Sequence, residues 1–147
     1  MILRQVRSVD LDAATLYAIL RLRSEVFVVE QNCVYNDLDG RDLEPETVHM
    51  WLADDDIPVA YLRVLADPGG TARIGRVVTD PKHRGAGLAA QLMDAAVATL
   101  APGTEAVLGA QVYAKKLYER SGFVVSGETY IEDGIEHVHM RRNATAG

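Results

Sequence analysis

Apolar positions in the second half of the chain follow two alternating rhythms. Leu88, Ala89, Leu92, Met93, Ala96, Val97 and Leu100 recur three and four residues apart, a helical stripe that Pro102-Gly103 brings to a stop. Residues 72–78 ahead of it read as a strand, and 105–108 behind it as a short one. A helix over 112–121 follows. Strands over 123–126 and 137–141 come last, forming a hairpin that turns at Asp133-Gly134. In the first half, 3–7 reads as a strand, and Ser8 or Asp10 can cap a helix carrying Leu16, Ile19, Leu20 and Leu22. Residues 26–29, Val-Phe-Val-Val, are β-prone, but their state is left open. A polar loop over 36–45 with turn chemistry at Asp39-Gly40 leads to strands at 47–52 and 59–65, joined near 54–58. A turn at 67–70 follows. Strands first, then strand and helix in alternation, then a hairpin indicate a mixed α/β sheet in one domain covering residues 1–147.

Between the strand at 72–78 and the long helix lies Asp80-Pro81-Lys82-His83-Arg84-Gly85-Ala86-Gly87. Glycines at such a turn let backbone N–H groups approach a ligand, and the unpaired N–H groups of the new helix aim at the same spot. Their partial positive charge suits a phosphate. An ordinary strand-to-helix turn would use the same glycines for geometry alone. Read from Gly85, the segment fits the dinucleotide fingerprint G-x-G-x-x-G/A. Too few residues follow Ala90 to complete a doubly wound sheet, which argues against NAD. No Lys-Ser or Lys-Thr pair follows the glycines, so a P-loop is excluded.

Read from Arg84, the residues Arg84-Gly85-Ala86-Gly87-Leu88-Ala89 give R-x-x-G-x-A after Val77-Val78. This segment resembles the acyl-CoA pyrophosphate loop of the GNAT-type N-acetyltransferases, Q/R-x-x-G-x-G/A. A second segment, Gln111-x-x-Ala114-x-x-Leu117-Tyr118-x-x-x-Gly122-Phe123, resembles that family's N-x-x-A-x-x-L-Y-x-x-x-G-F, with Gln in place of Asn. The run from Leu22 to Tyr35 and the late Glu132-Asp133-Gly134-Ile135-Glu136-His137 are similar to the ElaA-like subgroup. The resemblance implies a single-domain GNAT fold, a mixed central sheet flanked by helices whose fourth and fifth strands splay apart to admit the pantetheine arm. It implies acetyl-CoA as cofactor. The pyrophosphate would sit on the N–H groups from Arg84 through Gly85, Ala86, Gly87 and Leu88 to Ala89, and the pantetheine amides would pair near Val77 and Val78. Gln111 would hydrogen-bond the cofactor, and Tyr118 would be the general acid. A phenol with an ordinary pKa near ~10 is protonated at neutral pH and can give its proton to a departing thiolate. Tyr113, on another helical face, is the weaker choice.

No general base stands out. Many members of the family carry a glutamate on the fourth strand, but here Ile74-Gly75-Arg76 puts a cation near that place. Glu30, Glu44 and His49 are the remaining candidates, and a water relay needs none of them. Arg76 could instead receive an acceptor carboxylate. Cys33 has no histidine in its local motif and reads as a packed residue. His137 and His139 share a strand face but have no third ligand in the sequence pattern, so no metal site is expected.

The formal charge of −6 argues against nucleic acid as a partner. Acidic residues crowd the first half, among them Asp37, Asp39, Asp42, Glu44 and Glu46; they read first as a solvated loop and second as an attractor for a cationic amine. No apolar run reaches the ~20 residues needed to cross a bilayer. The N-terminus lacks the pattern of a signal peptide, and a single cysteine suits a reducing compartment, so a cytoplasmic location is expected. The expected function is direct acetyl transfer to a small-molecule or protein amine. A non-catalytic acyl-CoA sensor is the alternative, and the residue pattern does not address oligomeric state.

Overall fold

The computed structural model describes residues 1–144; of the tail from Asn143, residues 145–147 lie outside the described part. Seven strands form one sheet: β1 (Ile2–Arg7), β2 (Val48–Asp54), β3 (Ile57–Ala66), β4 (Ala72–Thr79), β5 (Ala106–Gln111), β6 (Val124–Glu132) and β7 (Ile135–Arg142), in the order β1-β2-β3-β4-β5-β7-β6. All neighbours are antiparallel except β4 and β5. That parallel pair meets only at Ala72 with Ala106 and Arg73 with Val107, and beyond those residues the strands part. The expected splay between the fourth and fifth strands is present.

Alternation along β2 sorts side chains to the two faces, as a period of two requires. Met50 and Leu52 join Leu92, Met93 and Ala96 of α2 (Leu88–Thr99), while Trp51 and Ala53 meet Ile19 and Leu22 of α1 (Ala13–Arg23). The sheet is therefore buried on both sides.

Strand β4 breaks the alternation. Ala72 and Ile74 belong to the α2 side, Val77 packs on that side as well, and Val78 belongs to the α1 side. The cause is a bulge: the register passes from Arg63 opposite Gly75 to Tyr61 opposite Val78, leaving an extra residue on β4. Arg76 absorbs it at φ +53°, a left-handed conformation that is costly for a residue with a side chain.

The hairpin at Asp133-Gly134 is present, with both turn residues at positive φ, as is the β2–β3 turn, where Asp55 and Asp56 take the same conformation. Two local expectations are corrected, the cap of α1 and the helix at 112–121, and the open state of residues 26–29 is resolved. The cap of α1 is Asp12, whose carboxylate accepts from the Thr15 N–H at 2.7 Å, because a short 3-10 turn at Ser8–Asp10 intervenes. The β-prone residues 26–29 are helical. They lie in a π-helical stretch, Ser24–Glu30, that extends α1, and Gln31 and Cys33 donate five residues back to the carbonyls of Val26 and Val28. Packing of Val26 onto Trp51 and Tyr61 overrides local preference there. The helix expected at 112–121 is a 3-10 turn followed by a short α3 (Lys115–Glu119). Among the described residues no helix is long and apolar enough to cross a membrane.

Candidate active site

The parting of β4 and β5 opens a cleft of about 1020 Å³. Its walls are β4 from Ile74 to Thr79, the π-helical stretch with Val26, Phe27 and Glu30, α3 with Tyr118, and the β6–β7 hairpin. At one mouth lies the glycine turn. Gly85 and Gly87 hold φ of +85° and +74°, conformations that a side chain would strain, and residues 84–87 are exposed. Gly87 caps α2 without any side-chain hydrogen bond, so the first N–H groups of that helix face solvent. A helix start of this kind attracts an anion.

Of the residues expected to hold cofactor, Val77, Val78, Arg84, Ala89 and Gln111 line the cleft. Gly85, Ala86 and Gly87 are exposed and do not line it, although they lie between Arg84 and Ala89, which do, and Leu88 turns inward to the core. The bulge places Val77 and Val78 where β4 has left β5, so their backbone edge faces the gap. The Gln111 amide donates to Gln31 at 3.3 Å across the cleft. The Arg84 side chain is engaged elsewhere, in a two-pronged pair with Glu30 at 2.8 and 2.5 Å.

Tyr118 comes from the end of α3 and is buried among apolar side chains of the α2 face while still lining the cleft. Burial, reinforced slightly by Tyr113, pushes its phenol well above the ordinary range, so it remains a proton donor at any physiological pH. Tyr113 is largely exposed.

The candidate bases fare differently. Glu30 lines the cleft but is paired with Arg84. Glu44 pairs with Arg41. His49 lies outside the cleft, fully buried: Nε2 meets the Asp42 carbonyl at 3.0 Å and Nδ1 meets the Tyr61 hydroxyl at 2.7 Å. A carbonyl can only accept, so Nε2 carries the proton and Nδ1 accepts from Tyr61. His49 is thus a structural histidine held neutral, and burial lowers its pKa. The unfolded chain binds the extra proton more readily, so stability is full above the ordinary imidazole pKa of about 6.5 and is lost as pH falls below it. Urea unfolding at pH 7.5, 6.5 and 5.5 is expected to show that decline, at about 1.4 kcal/mol per unit of depression. The slope should disappear in His49→Gln; an unchanged slope would assign the decline to another group.

Asp37 and Asp42 of the acidic loop are buried and not solvated, while Asp39 and Glu46 stay exposed. Arg23, fully buried, binds Asp37 at 3.0 Å and Asp42 at 2.7 Å; Arg63 binds Asp42 at 2.9 Å and Asp39 at 2.5 Å. Burial opposes ionising Asp39, yet the hydrogen bonds from Arg63 and the Arg41 N–H, with the Arg63 and Arg76 charges, hold its carboxyl well below the usual range. Arg76 closes the chain, its Nε 2.8 Å from Asp37 Oδ1 but off the N–H axis, and its Nη2 donating to the Asp37 carbonyl at 3.1 Å. These partners hold the Arg76 side chain beside its strained backbone, and it still lines the cleft. The carboxylates of Asp37, Asp39, Asp42 and Glu44 are each engaged by an arginine.

Cys33 is buried, and its thiol donates to the Asp133 carbonyl at 3.3 Å, in keeping with a packing residue. Among the described residues no cluster of three metal-ligating side chains exists. His137 and His139 do line the cleft, together with Tyr130, a residue the strand pattern did not single out because β6 was read as ending before it.

A forked mixed sheet with a bare helix start at one end of the gap defines an acyl-CoA N-acyltransferase fold. The comparisons with known proteins agree. The Acetyltransferase (GNAT) domain family matches residues 19–144, and the chain belongs to that family. It is 44% identical over 144 residues to a UPF0039 protein of Mycobacterium tuberculosis, covering 95% of this chain and 92% of the relative. To protein ElaA of Escherichia coli it is 41% identical over 138 residues, 90% of each. The crystal structure of that ElaA superposes with a TM-score of 0.92 over 97% of this chain and all of the other. An acyl-CoA N-acyltransferase of Pseudomonas aeruginosa superposes at 0.89, with 41% identity over 97% and 99% of the two chains. Within the GNAT family the chain is ElaA-like.

Proposed function

We propose that this chain is an acetyl-CoA-dependent N-acetyltransferase that moves the acetyl group directly from the thioester to an amine. The observation that carries this reading is the meeting, in one cleft, of the bare start of α2, the open edge of β4 at Val77 and Val78, and the buried phenol of Tyr118. The pyrophosphate binds the N–H groups of residues 84–89, and the pantetheine amides pair with the β4 edge as a substitute for β5. A backbone N–H at the bulge polarises the thioester carbonyl. The amine nitrogen attacks the carbonyl carbon, the C–N bond forms, the C–S bond breaks, and Tyr118 gives a proton to the leaving sulfur. The single cysteine suits a reducing compartment, which favours the cytoplasm as its place of work.

Calorimetric titration with acetyl-CoA tests the reading. Saturable binding is expected, with no response to NAD run in parallel. A flat acetyl-CoA trace would remove it and leave the glycine turn as local geometry.

A further inference from the structure

Across from the β4 edge, the cleft is walled by β5 and the β6–β7 hairpin, where Gln111 pairs with His137 across the strands. On the face shared by β5, β6 and β7, Tyr130 stacks on His139 with ring centroids 4.6 Å apart and on His137 at 5.6 Å. The ring can lie flat across the sheet because residue 109 is glycine: a Cβ there would stand 2.7 Å from the Tyr130 hydroxyl. Gly109 is on β5 just past the point where β4 and β5 part, so the wall reaches the fork itself.

His137 has a fixed tautomer. Its Nδ1 lies 2.7 Å from the Ile135 carbonyl, which can only accept, so Nδ1 carries a proton and the neutral ring has its lone pair on Nε2. Glu132 Oε2 is 3.9 Å from that Nε2.

Charge on the cleft is also sorted. Arg41, Arg63, Arg73, Arg76 and Arg84 line it, and each is ion-paired with a carboxylate. Among the described residues, the lining acids with no arginine or lysine partner are Glu132 and Asp133, both on the hairpin beside Tyr130. The uncompensated charge of the wall is negative, and its surface is a set of π faces. An ammonium group is attracted by both.

We infer that Tyr130, His137, His139 and Glu132 form the acceptor subsite, that the acceptor enters as a cationic primary amine, and that His137 Nε2 takes its proton. This rests on the acetyltransferase reading above. The ammonium loses one proton to His137, which passes it to solvent, and the neutral nitrogen attacks the thioester. The second proton, released as the amide forms, replaces the one that Tyr118 gives to sulfur. Products are the N-acetyl amine, free CoA thiol and one proton.

The test uses benzylamine, phenylacetate and benzyl alcohol as probes, titrated into the protein alone and loaded with CoA, while the imidazole signals of His137 and His139 are followed by NMR. Benzylamine is expected to shift both rings saturably, with little response to phenylacetate or the alcohol. Glu132→Gln, on the exposed rim, should weaken benzylamine by at least roughly threefold. His137→Gln should weaken benzylamine by only about a few-fold but slow CoA release from acetyl-CoA by about a hundredfold, with partial rescue by added imidazole, which a merely structural role would not show. A preference for phenylacetate, or no effect of Glu132→Gln, overturns the subsite. CoA release no faster in the native protein than in His137→Gln overturns the base. A flat acetyl-CoA calorimetric trace alongside benzylamine shifts would instead remove the acetyltransferase reading and leave the amine subsite standing.

Discussion

Replacing Tyr118 with Phe is expected to slow acetyl transfer by about a hundredfold or more while leaving acetyl-CoA affinity nearly unchanged. The substitution removes one oxygen from a ring that is otherwise packed against the α2 face, so the fold keeps its apolar contacts. What it takes away is a proton donor that burial keeps protonated. Without it, sulfur must depart as a thiolate into an apolar surround, which raises the barrier. Steady-state CoA release and calorimetry on the same preparation separate the outcomes. Equal loss of binding and turnover would mean that the hydroxyl serves the ground state. Turnover as fast as in the native protein would move the acid role elsewhere. A non-catalytic acyl-CoA sensor predicts binding in both proteins and turnover in neither.

The second large effect concerns stability. Arg23→Leu is expected to cost about 3–5 kcal/mol, because it leaves Asp37 and Asp42 buried with their charges partly uncompensated. For a chain of this length that corresponds to a fall in melting temperature on the order of 10 °C. The matched control is Arg7→Leu, which breaks an exposed pair with Glu46 and should change stability by about 1 kcal/mol or less. Similar losses in the two variants would show that the buried network contributes no more than a surface pair. The loop it anchors also holds Arg76 at the bulge, so cofactor affinity in Arg23→Leu is expected to fall along with stability.

The elements that were legible in the sequence are those whose signal is local. The helical stripe from Leu88, the glycines of the turn before it and the Asp133-Gly134 hairpin each state their geometry within a few residues. Tyr118 was singled out by the resemblance of its segment to the family's second motif, and the structure places it, buried, in the cleft wall. What the sequence hid depends on partners far along the chain. Asp37, Asp39 and Asp42 look like a solvated loop until Arg23 and Arg63 are brought onto them from α1 and β3. His49 has the ordinary profile of a titrating base, yet a hydroxyl twelve residues away and a loop carbonyl fix it as an internal strut. The π-helical stretch defeats local preference, since β-branched residues there answer to the sheet beneath them. Tyr130 was missed because strand length cannot be read where exposed residues outnumber buried ones, as they do along β6.

The fork between β4 and β5 leaves the sheet joined across its middle by two residue pairs. A bound pantetheine arm would act as the missing strand, so ligation and folding become linked equilibria. At a hundred times its dissociation constant, a ligand that binds only the native state adds about 2.7 kcal/mol. In a cell that keeps acyl-CoA abundant, the species exposed to proteolysis and to natural selection is then the loaded one. Substitutions that weaken the seam could accumulate unseen there and reveal themselves only when the coenzyme pool falls.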